Sequence, residues 1–88
     1  MAPSIVLYTT TWCGYCERAR RILRAHGLAF EDIDVTRDPA LRQRVIAETG
    51  HPTVPIILID GELVGGSSEL AELERTGGLD ALARTRTT

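Results

Sequence analysis

Hydrophobic and polar positions along this chain switch between two periods. Ile5-Val6-Leu7-Tyr8 is a short, β-prone apolar run and predicts a buried strand. Thr9 to Trp12 reads as a loop. From Gly14 to His26 the spacing becomes three and four: Cys16, Ala19, Ile22 and Leu23 share one face, and Arg18, Arg20, Arg21 and Arg24 fill much of the rest. This predicts an amphipathic helix, with Gly27 as its C-terminal cap. Ala29 to Val35 alternates, with Phe30, Ile33 and Val35 set among acids, and predicts a second strand. Asp38-Pro39 opens a second helix, Asp as N-cap and Pro at the first helical position. Leu41, Val45 and Ile46 face its core side, and Gly50 ends it. Pro55 to Ile59 reads as a fully buried third strand. Asp60-Gly61 is a two-residue hairpin turn, and Glu62 to Val64 returns as a fourth strand. Gly65-Gly66 leads into a helix with Ser67 or Ser68 as N-cap and Leu70 and Leu73 inward. Gly77-Gly78 breaks the chain before a last helix around Leu79 to Ala83, and Arg84 to Thr88 reads as a fraying polar tail.

The order is therefore β-α-β-α-β-β-α-α. A β-α-β start requires a right-handed crossover and a parallel pair. The Asp60-Gly61 hairpin makes the last two strands antiparallel. The expected fold is α/β: one domain over residues 1–88, with a mixed four-stranded sheet flanked by helices.

Composition narrows the function classes. The chain has 88 residues, 43% hydrophobic and 25% charged, with a net charge of −2. That suits one modest globular core and argues against disorder. The longest apolar stretch, Val54 to Ile59, is six residues against the ~20 a membrane span needs. No basic segment precedes an apolar run at the N-terminus, so no secretory signal is read there and a cytoplasmic location is expected. A pI near 5.6 disfavours nucleic acid as a partner. All ten basic residues are arginine, seven of them between Arg18 and Arg44, while six of twelve acids lie between Asp60 and Asp80. Solvated faces explain this distribution; an electropositive rim around the cysteines is the sharper alternative.

The two cysteines, Cys13 and Cys16, are too few for a disulfide scaffold and too close for a bridge to restrict the unfolded chain much. Their placement calls for chemistry. Cys13 falls where the first loop becomes a helix, so unpaired N–H groups and the positive helix end favour its thiolate, the nucleophile of disulfide exchange. Cys16, one turn deeper on the inner face, is placed to reach Cys13 while shielded from outside. Cys13 is thus expected to attack a disulfide and Cys16 to resolve the mixed disulfide. A zinc finger would need His26 and His51, whose spacing does not fit, and haem attachment would need His where Glu17 stands. Both histidines are expected to face solvent, and no metal is expected. Tyr8 and Phe30 are expected in the core. Val54-Pro55 has two readings: a proline at a strand start, or a cis bond set against Cys13 that leaves the Val54 backbone free to pair with an extended substrate. Gly65-Gly66-Ser67-Ser68 serves as a turn and N-cap, and also offers helix-terminal N–H groups to a carboxylate.

Trp12-Cys13-Gly14-Tyr15-Cys16, Thr53-Val54-Pro55 and Gly65-Gly66-Ser67-Ser68-Glu69-Leu70, in this order, resemble a dithiol glutaredoxin over nearly the whole chain. The resemblance implies a thioredoxin fold and a cis Val54–Pro55 bond. It implies an oxidoreductase that reduces glutathione mixed disulfides and protein disulfides through Cys13 and Cys16, with glutathione as co-substrate. The glutathione site it implies comprises Thr10, Tyr15, Arg42, Thr53, Val54, Pro55, Gly66, Ser67 and Ser68. Val54 would pair with the cysteinyl part, Ser67 and Ser68 would hold the γ-glutamyl carboxylate, and Arg42 would meet the glycyl carboxylate. Three positions depart from the family: Thr10 where lysine is frequent, Ser68 where aspartate is frequent with Glu69 as a substitute, and Gly14 for the commoner proline. Trp-Cys-Gly-Tyr-Cys also resembles the mycothiol-dependent mycoredoxins. A small residue after the first cysteine also occurs in glutaredoxins that bridge a [2Fe–2S] cluster as dimers, with Cys13 as the protein ligand. The expected protomer is a monomer, and its partners are glutathione and glutathionylated or disulfide-bonded proteins.

Overall fold

A computed structural model describes residues 3–85. It has the thioredoxin fold in the expected order: β1 (Ile5–Thr9), α1 (Gly14–Ala25), β2 (Glu31–Asp34), α2 (Pro39–Thr49), β3 (Ile56–Ile59), β4 (Glu62–Gly65), α3 (Ser67–Arg75) and α4 (Gly78–Thr85). The sheet order is β2-β1-β3-β4. β1 runs parallel to β2 and antiparallel to β3, which pairs antiparallel with β4. Leu7 pairs with Ile57 and Ile5 with Ile59, so the buried Ile5, Leu7 and Ile57 fall on one face of the sheet. Against that face pack Ala19 and Leu23 of α1, Leu28, Leu70 of α3 and Leu79 of α4, all buried. Val35, Val45 and Ile56 are buried outside this cluster. No helix among the described residues is long and apolar enough to cross a membrane.

Local chemistry explains the boundaries. α1 ends in a Schellman motif: Leu28 N–H donates to the Leu23 carbonyl at 3.1 Å and Gly27 N–H to that of Arg24 at 3.0 Å. Gly27, at φ 67°, is the left-handed residue just beyond the actual C-cap, His26. Asp38 caps α2 as expected, its carboxylate accepting from Leu41 N–H at 3.1 Å. Asp60 and Gly61 both have positive φ, 51° and 83°, the type I′ geometry that matches strand twist.

Several expectations are corrected. β2 starts at Glu31 rather than Ala29, because its ladder begins where Glu31 meets Val6. β3 starts after Pro55 and is not fully buried: Ile56 and Ile57 are, whereas Leu58 and Ile59 are half-exposed. Tyr8 and Phe30 are half-buried at the edge of the core. The N-cap of α3 is Gly66, and both serines are helical; Glu69 reaches back to accept from Gly66 N–H at 2.8 Å. Arg84 and Thr85 belong to α4, while the rest of the expected tail, 86–88, lies outside the described residues.

His26 does not face solvent. Its side chain is only 18% exposed, with Nε2 2.8 Å from Glu74 and Nδ1 3.0 Å from Asp80. It joins the end of α1 to both C-terminal helices. The hydrogen bond to Glu74, and next that to Asp80, raise its pKa against the opposing effect of burial. A raised native pKa stabilises the fold fully below the unfolded value, about 6.5, and this contribution fades as pH rises through the native value. His26→Gln is therefore expected to lower Tm most near pH 6, with the deficit shrinking steadily towards pH 9. Thermal melts of both proteins across that range measure it, and a constant deficit would show that the imidazolium plays no part.

Candidate active site

The Cys13 loop hangs between β1 and α1 and is tied to the far end of β2. Thr11 N–H donates to Thr36 Oγ1 and Thr11 Oγ1 to Asp34 Oδ2, each at 2.8 Å. Trp12 follows at φ 61°, a left-handed conformation that costs a bulky residue, and its side chain is 99% exposed. Cys13 is then extended, at φ −118° and ψ 110°, as the N-cap of α1. Its Sγ accepts the Cys16 N–H at 3.2 Å, and its carbonyl accepts Glu17 N–H at 3.1 Å. The sulfur occupies the place of the usual Ser or Asp oxygen, answering a helix-terminal N–H.

Both cysteines are free thiols, in contrasting surroundings. Cys13 is half-exposed. Cys16 is 0% exposed, and its thiol is pushed up to about 12. Burial is the main cause, followed by its hydrogen bond with Cys13 and the charge of that neighbour; a backbone hydrogen bond with Thr10 and the more distant Arg20 act the other way. The pair thus combines an accessible sulfur with a shielded one that keeps its proton.

Beside the loop lies an open cavity of about 180 Å³ lined by Tyr15, His51, Thr53, Val54, Pro55, Gly66, Ser67, Ser68 and Glu69. The Val54–Pro55 bond is cis, and Pro55 is buried just ahead of β3. Seven of the nine residues expected to form a ligand site therefore meet here, drawn from α1, the segment before β3, and the start of α3. Thr10 and Arg42 are not among the residues lining it; Thr10 turns its backbone to Cys16. Two of the four α1 arginines have partners of their own. Arg20 bonds Asp32 at 2.5 Å and Glu17 at 3.0 Å, and Arg24 lies over the Phe30 ring at 5.8 Å.

The cavity also contains His51, which was expected in solvent. Its side chain is 19% exposed, and Nδ1 lies 2.8 Å from the Thr53 carbonyl oxygen. Gly50, left-handed at φ 73°, ends α2 and turns the chain so that His51 faces back towards α3. Glu69 joins the wall through its bond to Gly66. A glutamate three residues after an N-cap was the legible signal for it; nothing in the sequence singled out His51. Among the described residues no group of three or more His, Cys, Asp or Glu is arranged to hold a metal ion.

Comparison with known proteins agrees with this geometry. The family model described as glutaredoxin matches residues 5–64. The chain is 45% identical over 80 residues to a glutaredoxin of Pseudomonas aeruginosa, covering 91% of this chain and 95% of the relative. It is 36% identical over 81 residues to glutaredoxin 3 of Escherichia coli K12, covering 92% and 98%. The chain belongs to the glutaredoxin family. Among solved structures, a buckwheat glutaredoxin in complex with glutathione superposes with a TM-score of 0.86 at 27% identity, covering 94% of this chain and 78% of that one. This glutaredoxin is accordingly an oxidoreductase with two closely spaced cysteines in a thioredoxin fold.

The contrast between the two thiols is directly measurable. A buried thiol whose pKa is pushed up to about 12 keeps its proton at pH 8 and is a poor nucleophile there. Brief treatment of the native, reduced protein with iodoacetamide is expected to give one adduct, on Cys13, with Cys16 modified only after denaturation. Peptide mass spectrometry reads the positions; equal labelling of both would contradict the burial of Cys16.

Proposed function

We propose that this glutaredoxin is a glutathione-dependent thiol–disulfide oxidoreductase in which Cys13 is the nucleophile and Cys16 the resolving cysteine. The observation that carries the reading is the placement of an accessible Cys13 sulfur at the helix N-cap, next to a cavity whose walls bear polar groups suited to a γ-glutamyl peptide. Tyr15 and the Thr53-Val54-Pro55 segment take the cysteinyl part, with the Val54 backbone as its pairing edge. Ser67 and Ser68, at the first two positions of α3, present N–H groups and hydroxyls to a carboxylate. The solved buckwheat relative holds glutathione, which supports the choice of ligand.

In the first step the Cys13 thiolate attacks the glutathione sulfur of a glutathionylated protein. The Cys13–glutathione S–S bond forms, the protein–glutathione S–S bond breaks, and the protein leaves as a thiolate that takes a proton from water. A second glutathione thiolate then attacks the same glutathione sulfur, giving glutathione disulfide and restoring the Cys13 thiolate. Reduction of a protein disulfide uses Cys16 instead. Cys13 opens the bridge, and Cys16, losing its proton, attacks Cys13 Sγ and releases the reduced protein. The Cys13–Cys16 disulfide that remains is reduced by two glutathiones.

The structure bears on which branch dominates. Cys16 resists ionisation partly because of the charge on Cys13. Once Cys13 is in a mixed disulfide that charge is gone, but burial, the largest cause, persists. External glutathione should therefore outrun Cys16 on small mixed disulfides.

Cys13→Ser is expected to abolish all thiol transfer. Cys16→Ser is expected to keep most turnover of a cysteine–glutathione mixed disulfide while losing reduction of a protein disulfide. Steady-state assays of both substrates test this, and retained turnover by Cys13→Ser would refute the assignment. Running the same assay with glutathione, with mycothiol and with a thioredoxin reductase identifies the donor. Preference for mycothiol would overturn the glutathione reading while leaving the cysteine roles intact.

A further inference from the structure

The cavity accounts for one half of a glutathione mixed disulfide and leaves the other half, the protein, without a place. Trp12 is the residue beside Cys13 that has no part in the chemistry. It is the chain's one tryptophan, it directly precedes Cys13, and it is 99% exposed. It is not among the residues lining the cavity. Among the described residues three large hydrophobic side chains are exposed: Trp12, Tyr15 and, on β4, Leu63. The first two bracket Cys13 in the chain, and Tyr15 belongs to the cavity.

The backbone on both sides of this ring is fixed. Thr11, before it, donates its N–H to Thr36 and its hydroxyl to Asp34, each at 2.8 Å. Cys13, after it, accepts from Cys16 N–H at its sulfur and from Glu17 N–H at its carbonyl. Trp12 itself has φ 61°, a conformation that bulky residues rarely adopt. Among the described residues its side chain makes no hydrogen bond or ring contact that would offset this. The space next to it is open as well: a Cβ on Gly14 would meet nothing within 4 Å. A flat apolar ring on a pinned backbone, next to a reactive sulfur, is a pre-organised contact whose burial is favourable only when a partner covers it. We propose that Trp12 is the docking residue for the protein half of the substrate: it packs against apolar side chains that flank the partner's disulfide-bonded cysteine while glutathione occupies the cavity. This rests on the glutathione reading and adds to it the class of protein cysteine preferred, one with apolar neighbours. A small disulfide such as cysteine–glutathione has nothing to place on the ring and gains nothing from it.

The test uses two short glutathionylated peptides, identical except that leucines or serines flank the cysteine, with cysteine–glutathione as the small reference. Steady-state turnover with glutathione is measured for the wild-type protein, Trp12→Asn and Trp12→Phe. Asn tolerates a positive φ, so it removes the ring and leaves the loop in place. The wild-type kcat/KM is expected to be about tenfold higher for the leucine peptide than for the serine peptide. Trp12→Asn should abolish that preference by lowering the leucine value alone, with the serine peptide and cysteine–glutathione turning over as before. Trp12→Phe should keep most of the preference. Alkylation of Cys13 by iodoacetamide should proceed at the wild-type rate in Trp12→Asn; a slowed rate with a common loss on all three substrates would place Trp12 in the shaping of the cap and overturn the docking role. Equal wild-type values for the two peptides, or a preference that survives in Trp12→Asn, would also overturn it and leave the glutathione reading standing. No turnover of any of the three substrates by the wild-type protein would overturn both.

Discussion

The site depends on one local arrangement: a sulfur in the position of a helix cap. At most helix starts a Ser or Asp oxygen answers the free N–H groups. Here Cys13 Sγ does so, through the Cys16 N–H, and the hydrogen bond that begins the helix also holds the more exposed of the two sulfurs. The same turn puts Cys16 on the buried face of α1, with Ala19 and Leu23 following it into the interior. A helix starting one residue later would make Gly14 the cap and take the Cys13 sulfur from its place opposite the Cys16 N–H. The start is held from outside by the Thr11 bonds to Asp34 and Thr36, and from within by the Thr10 backbone on Cys16. Trp12 bears the cost, held at positive φ with its ring in solvent.

The sheet serves this arrangement by supplying rigid ends. β1 stops at Thr9, whose buried hydroxyl donates to Asp32 Oδ1 at 2.6 Å, and Asp32 also accepts from Arg20 of α1. Burial works against ionisation of Asp32, yet the bonds from Arg20 and Thr9 outweigh it and hold the carboxyl below its usual pKa. Strand, neighbouring strand and helix are thereby locked within one turn of the reactive cysteines. An exposed ion pair adds little to stability, but one that also satisfies a buried hydroxyl fixes geometry. Arg20 is accounted for in this way: it ties α1 to β2.

Much of this was legible in residues whose signals are local. Asp38-Pro39, Asp60-Gly61 and the 3.6-residue rhythm of α1 each specify a turn or a face on their own, and each falls within a residue or two of its observed place. The misreadings share a cause. The serines before α3 looked like caps because Ser is a good cap, but Glu69 reaches back across a turn and moves the cap to Gly66. The two histidines looked like surface residues because nothing adjacent in sequence partners them. Their partners, Glu74 and Asp80 for His26 and Glu69 for His51, lie 18 to 54 residues away. Contacts made by tertiary folding leave no trace in local periodicity. Family resemblance also named Arg42 and Thr10 for the ligand site; they are not among the residues lining the cavity, and seven of the nine residues it named are.

The cavity walls differ in how they are built, and that bears on what each wall does. The Val54 wall is backbone beside a proline, and it is indifferent to which residue it meets; it suits the part of a ligand common to every cysteine peptide. The α3 wall is side chains and a helix terminus, whose partial charges have sign and direction. His51 touches both: its Nδ1 is hydrogen-bonded to the Thr53 carbonyl on the first wall, while its Nε2 lies 3.7 Å from Glu69 on the second.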